Sequence, residues 1–202
     1  MVADQLQARG IVDQRVLDAM ARVPREAFVG EGNRRRAYED MPLRIGHGQT
    51  ISQPYMVAII CQTAEVRPGD RVLDIGTGSG YQAAVLSELG AKVHTIERIP
   101  ELAEHARERL EAAGYGDVEV HLGDGSLGLS EHAPFDAIVV AAAAPVMPAS
   151  LYEQLVACGR LVVPVGGPEG QRLEVIVRSP EGPAVTRSVP CRFVPLVGAE
   201  GF

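Results

Sequence analysis

Near the start of the chain, apolar side chains recur at helical intervals. Leu6 marks a first short helix, and Val16, Leu17, Met20 and Val23 share one face of a second. Gly10 ends the first, Asp13 is placed to cap the second, and Pro24 stops it. From Gly30 to Gln53 the periodicity lapses, which predicts ordered loop. Pro54 then opens a helix through Ala64, with Val57, Ile60 and Cys61 on one face and Ser52 close to its N-terminus.

Past the turn Arg67-Pro68-Gly69-Asp70, strand-like and helix-like stretches alternate. The pattern predicts strands at Arg71–Ile75, Lys92–Ile96, Val118–Leu122, Phe135–Ala142 and Arg160–Val165. It predicts helices at Tyr81–Leu89, Pro100–Ala113 and Ala149–Ala157. The strands are apolar runs rather than in-and-out alternations, the mark of a parallel sheet covered on both faces. Leu173–Val177 and Ala184–Val189, joined by Pro180-Glu181-Gly182-Pro183, predict a terminal hairpin. The expected class is α/β, a doubly wound, mostly parallel sheet with an N-terminal helical addition and C-terminal strands. Residues 1–202 are read as a single domain, with 1–65 and 181–202 on the substrate side of a cofactor-binding core at 66–180.

Composition narrows the function. A hydrophobic share of 46% excludes disordered and fibrous classes. Nineteen Lys and Arg against 26 Asp and Glu give a net charge of −7, which argues against a nucleic-acid backbone as partner. Cys61, Cys158 and Cys191 form no CxxC pair, so neither a disulfide framework nor a thiolate zinc site is suggested. His47 has no metal-ligand spacing with His94, His105, His121 or His132, so no metal is expected. The opening residues lack signal-peptide features, and the most apolar stretch, Ala137 to Met147, is too short to span a bilayer. The expectation is a cytoplasmic monomer, bound to no membrane.

The most informative segment is Asp74-Ile75-Gly76-Thr77-Gly78-Ser79-Gly80, where a strand gives way to a helix. Ligands of doubly wound sheets bind at such a turn, and glycines let them approach without meeting a Cβ. Glu97 ends the next strand about 20 residues on, placed to accept hydrogen bonds from both hydroxyls of an adenosine ribose. Arg98 follows it. Asp74 either orders the loop or contacts the ligand. Asp124 and Gly125, in Gly123-Asp124-Gly125, form either a second ligand-facing turn or a plain one. The glycine spacing is one residue tighter than the G-x-G-x-x-G of dinucleotide enzymes, and an acid precedes it. This resembles the turn of S-adenosylmethionine-dependent methyltransferases, a Rossmann-like fold, and implies that Asp74, Gly76, Thr77, Gly78, Ser79, Gly80, Glu97, Arg98, Asp124 and Gly125 hold that cofactor. A nicotinamide oxidoreductase and a non-catalytic module that senses S-adenosylmethionine remain as rivals.

The acceptor is indicated by residues outside that turn. Tyr38 to Leu43, Gly46-His47-Gly48-Gln49-Thr50-Ile51-Ser52-Gln53-Pro54, Thr95 to Arg98, Gly123 to Gly125, Ala133 to Asp136, Gly159 to Gly166 and Arg192 to Leu196 together resemble the protein-L-isoaspartate O-methyltransferase family. The likeness covers most of the chain, and Gln49 to Pro54 is its specific part. It implies methyl transfer to the free α-carboxylate of L-isoaspartyl residues in damaged proteins and peptides, after which the ester collapses to a succinimide that can reopen to aspartate. An α-carboxylate with a pKa of ~3.5 is already ionised at neutral pH. Such an acceptor needs orientation rather than a general base.

The resemblance also makes Ser52 the active-site serine, with Gln49, Thr50 and Ile51 beside it and Val194, Pro195 and Leu196 walling a peptide groove. Read from the residues alone, Ser52 is equally a helix cap, Val194 to Leu196 equally core, and Arg34 to Arg36 a solvated basic patch. Ala141 to Ala144 lacks the Asn/Asp-Pro-Pro-aromatic run of base N-methyltransferases. Cys158 stands where the family commonly has glycine, and the Ala141 to Ala144 run replaces a more polar start. A small-molecule methyltransferase is the alternative acceptor reading.

Overall fold

A computed structural model describes residues 1–202. The helical opening is present as a five-residue π-type turn at Val2–Leu6 and a 3-10 turn at Gln7–Arg9, ended by Gly10 at φ 88°. Helix α1 follows at Gln14–Arg22, and the Asp13 carboxylate caps it by accepting from the Arg15 N–H at 2.9 Å. Helix α2 spans Pro54–Ala64.

The core then alternates β3 (Arg71–Ile75), α3 (Tyr81–Glu88), β4 (Lys92–Glu97), α4 (Pro100–Ala112), β5 (Glu119–Leu122), β6 (Phe135–Val140) and α5 (Ala149–Glu153). It closes with β7 (Leu155–Gly167), β8 (Gly170–Ser179) and β9 (Gly182–Cys191), all in one sheet ordered β5-β4-β3-β6-β7-β8-β9. Strands β3 to β7 pair in parallel, and β8 and β9 add on antiparallel. This is the doubly wound, mostly parallel sheet that the apolar runs predict. The winding reverses between β3 and β6, so a crevice opens beyond their carboxyl ends. Burial follows the pleat: Val72, Val139 and Val162 pack under α1, α2 and α3, while Leu73, Ile75, Ile138 and Val140 pack with Leu151 of α5 on the other face. No helix is long and apolar enough to cross a membrane.

Three expectations need correction. Residues 30 to 53 are not all loop: β1 (Leu43–Gly46) and β2 (Gln49–Ile51) form a hairpin. His47 and Gly48, at φ 51° and 74°, make its two-residue turn. Strands of four and three residues are too short to display alternation. Helix α5 stops at Glu153 rather than Ala157, because Leu155 already pairs with Phe135 and begins a 13-residue strand. Leu151 and Leu155, four apart, fit a helix face as well as they fit a turn into a strand. The terminal strands are also longer than their apolar centres: β9 is the edge strand, exposed at every residue from Pro183 to Arg187, so burial gives its ends no pattern.

Cys158 has φ 64°, inside the left-handed region that favours glycine. The departure noted in the sequence thus falls where the backbone itself prefers a residue without a Cβ.

Candidate active site

A cleft of about 890 Å³ lies at the carboxyl ends of β3, β4 and β6. Its floor is the turn after β3. Gly76 and Thr77 both donate backbone N–H groups to the Ile96 carbonyl, at 2.9 and 3.3 Å, which ties the turn to β4. Gly76 and Gly78 take φ 89° and 54°, so the bend runs through conformations that disfavour side chains. Gly80 serves packing instead: a Cβ there would lie 3.2 Å from Leu110 of α4.

Glu97 is buried at the rim of the turn, and three backbone N–H groups meet its carboxylate. Gly78 donates to one oxygen at 2.9 Å, while Arg98 and Ile99 donate to the other at 3.0 Å each. A carboxylate offers about four acceptor positions, so roughly one faces the cleft free. Gln82, at the start of α3, adds a second acceptor. Its Nε2 donates to Asp74 at 2.7 Å, and its buried Oε1 has no partner in the protein. The cleft therefore presents acceptors where a dinucleotide enzyme presents free amides to phosphate. A ligand bearing hydroxyl donors and positive charge fits it, a description that S-adenosylmethionine meets and a diphosphate does not.

Asp74 lies behind the cleft lining. It is fully buried and accepts from Gln82 and, at 3.0 Å, from the Thr95 hydroxyl, which itself lies 2.7 Å from the Thr77 hydroxyl. Burial pushes its pKa up to about 7; the Gln82 and Thr95 donors pull against that rise, and the Glu97 charge adds to it. Its hydrogen bonds thus brace the turn from inside.

Asp124 is likewise set back from the cleft wall. It accepts from the Ser126 N–H and hydroxyl and, at 2.8 Å, from the Ala199 N–H. Burial alone would raise its pKa, but these donors and the Arg98 charge hold it below the usual carboxylate range. Its effect on the cleft is indirect: it pins the C-terminal segment. Ala143 donates to the Val194 carbonyl at 2.8 Å and Leu196 donates back to Ala143 at 2.7 Å, so this segment lies along the end of β6 as one wall. Gly125 belongs to the cleft itself, pressed so close that a Cβ would come within 2.7 Å of Ile75.

The facing wall comes from the hairpin. Gln49, Thr50, Ile51 and Ser52 line the cleft, together with Gly76, Thr77, Gly78, Ser79, Glu97, Arg98, Gly125, Val194, Pro195 and Leu196. Of the residues singled out in the sequence, Asp74, Gly80 and Asp124 alone stand outside the lining. Ser52 does not cap α2: Gln53 holds the N-cap position, with no side-chain hydrogen bond. The Ser52 hydroxyl is half-buried and makes no hydrogen bond within the chain. A second groove, of about 1070 Å³, runs past it between Tyr55, Met56, Arg192 and Phe193. The cleft and the groove share Thr50, Ser52, Ala141 and Val194.

Three residues at the site were not legible in the sequence. Arg25 is fully buried, donates to the Ala37 and Ser52 carbonyls at 2.7 Å each, and lies 4.8 Å from the Tyr81 ring centroid. Its remaining terminal nitrogen has no partner. In sequence it looks like any solvated arginine after a proline. Tyr81 and Gln82 were missed as cleft residues because a helix start reads as core.

Comparison with known proteins is consistent with this geometry. A family model described as protein-L-isoaspartate(D-aspartate) O-methyltransferase matches residues 1–201. The chain is 55% identical over 197 residues to a protein-L-isoaspartate O-methyltransferase of Gloeobacter violaceus, covering 97% of this chain and 96% of that one. It is 55% identical over 204 residues to protein-L-isoaspartate O-methyltransferase 2 of Pelobacter propionicus, covering 100% and 91%. Its fold matches, at a TM-score of 0.85 and 27% identity, a crystal structure of a beta-aspartate methyltransferase from Plasmodium falciparum in complex with S-adenosyl-L-homocysteine. That match covers 97% of this chain and 96% of that one.

Proposed function

Because the chain belongs to the protein-L-isoaspartate(D-aspartate) O-methyltransferase family, we propose the following division of labour among its residues. The protein is an S-adenosylmethionine-dependent methyltransferase acting on isoaspartyl residues of proteins, the first step of their repair. When bound, S-adenosylmethionine supplies an electrophilic methyl on a sulfonium. Gly76, Thr77, Gly78 and Ser79 form its floor, Glu97 and Gln82 accept its donors, and Arg98 and Gly125 close the sides. Asp74, Gly80 and Asp124 hold that frame from behind.

Ser52 is the catalytic residue in this reading. The observation that carries it is a hydroxyl without an internal partner, set where the cleft and the groove meet. It donates to the acceptor carboxylate, with Thr50 beside it, and holds one oxygen toward the cleft. No base is required, since the acceptor arrives ionised. Arg25 fixes the Ser52 backbone through its carbonyl and contributes a buried positive charge on the acceptor side. Partial cancellation of charge on the way to the transition state suits the small apolar rim of Ala141 and Ala142.

Pro195 and Leu196 wall the cleft and Val194 carries that wall on into the groove, whose length suits an extended peptide better than a compact small molecule. A reducing, cytoplasmic setting fits the three free cysteines, and independence of nucleic acid fits the net charge of −7.

The test is a paired assay with labelled S-adenosylmethionine, an isoaspartyl peptide and its aspartyl twin. Label should enter the isoaspartyl peptide alone. Equal labelling of both peptides, or of neither, overturns the reading.

A further inference from the structure

Away from the cleft, the sheet gathers three histidines from separate parts of the chain. His94 comes from β4, His121 from β5 and His132 from the 3-10 turn at Ser130–His132. Their rings pack against one another with centroids 4.6 to 5.5 Å apart. One nitrogen from each can be chosen so that all three lie within 4.8 Å of one another, and His94 Nδ1 lies 3.2 Å from His121 Nε2. Glu119 adds an oxygen 3.6 Å from the first and 4.0 Å from the second. None of the four lines the cleft.

We propose that His94, His121 and His132, with the Glu119 carboxylate, form a binding site for a divalent ion of the zinc class. Tetrahedral zinc with bonds of ~2.1 Å places its ligands ~3.4 Å apart. The His94, His121 and Glu119 atoms are already near that spacing, so only the third imidazole must close in. His132 sits on a three-residue turn rather than in a strand, where such a shift is least opposed.

The protonation state suits ligation. Burial first, then the neighbouring imidazoles, lower the pKa of His94 and His121, and Glu119 pulls the other way. Neutral imidazole, the form that binds metal, is thereby favoured at neutral pH. Surrounding charge does not by itself concentrate cations, since Glu119 and Glu131 are set against Arg71 and Arg107. Affinity must come from direct nitrogen ligation, which selects zinc, nickel, cobalt or copper over magnesium or calcium. His94 is buried and serves as the anchored ligand, while Glu119 has a side chain 60% exposed and leaves an entry path. A bound ion would tie β4, which carries Glu97, to β5 and to the turn before β6.

The whole protein, stripped by chelator, is titrated with Zn²⁺ by calorimetry and with Co²⁺ as a spectroscopic probe. One equivalent should bind, Co²⁺ should show tetrahedral absorption, and the Tm should rise by roughly 3 °C. His121→Ala and His132→Ala should each weaken binding by about 100-fold, and Glu119→Gln by about 10-fold. Both histidines are partly exposed, so these variants keep the core, and retained methyl transfer reports their folding. His47→Ala, on the distant hairpin turn, should bind as the parent does. Absence of saturable one-to-one binding, or binding that survives both His121→Ala and His132→Ala, overturns the proposal.

Discussion

The two walls of the cleft are built in different ways. The cofactor wall, from Asp74 to Ile99, is one strand-turn-helix-strand unit whose members brace one another: Gly76 on Ile96, Gly78 on Glu97, Thr77 on Thr95, Thr95 on Asp74. The acceptor wall joins residues 49–52 to 194–197, segments distant in sequence that are held by the β1–β2 hairpin, by Ala143 and by two longer-range clips. Arg25 grips the Ser52 carbonyl, and Asp124 grips Ala199. On the proposed assignment, a ligand common to many enzymes is held by a local frame, while the part that distinguishes the substrate is assembled across the fold. Damage to either wall should therefore be separable.

The largest effect should come from Glu97→Ala. It removes the proposed ribose acceptor and strands three backbone N–H groups, so the cofactor Kd, read by calorimetry, should rise about 100-fold or more. An unchanged Kd would mean that the cofactor wall does not end at this carboxylate. Ser52→Ala should lower kcat with the isoaspartyl peptide about 30-fold, the worth of a hydrogen bond to a charged group, and leave cofactor Kd within about twofold. A proportional loss of cofactor affinity would merge the two walls into one.

A smaller effect concerns the brace. Asp74 in the folded protein holds its proton to about pH 7, above the usual 3.8. The unfolded chain releases that proton first, so this contribution to stability is complete below the unfolded pKa and is lost as pH rises through the folded one. Asp74→Asn cannot titrate. From about pH 5 to about pH 8, the Tm of the parent should fall by several degrees relative to this variant. Parallel Tm profiles would show that Asp74 stays ionised. The smallest effect is a control outside both walls. Cys158→Gly relieves a left-handed conformation and should stabilise by about 1 kcal/mol in denaturant melts, with kcat and cofactor Kd unaltered.

The same contrast governs what could be read in advance. Gly76 to Gly80 and Glu97 were legible because strand, turn and acid lie close together in order, and local order is what a sequence displays. Ser52 came into view through the resemblance of Gln49 to Pro54; from the residues alone it was as good a helix cap, and its bare hydroxyl became apparent only once Gln53 was found at the N-cap position. The inward turn of Asp74 depends on Thr95, one strand away, and the reach of Asp124 depends on a segment 75 residues later. Arg25 gave no sign, since nothing local separates a buried guanidinium from a solvated one. Likewise His94, His121 and His132 meet only through strand pairing, so no spacing announces them.

The bond from the Gly78 amide to Glu97 has one more consequence. Cells hold ATP and its relatives at concentrations that would swamp an indiscriminate adenosine site. Here the amide that would have welcomed their phosphates is already taken, and the group that takes it is itself negative. A negative group standing where a phosphate would otherwise meet a free amide weighs against triphosphates and costs a cationic donor nothing.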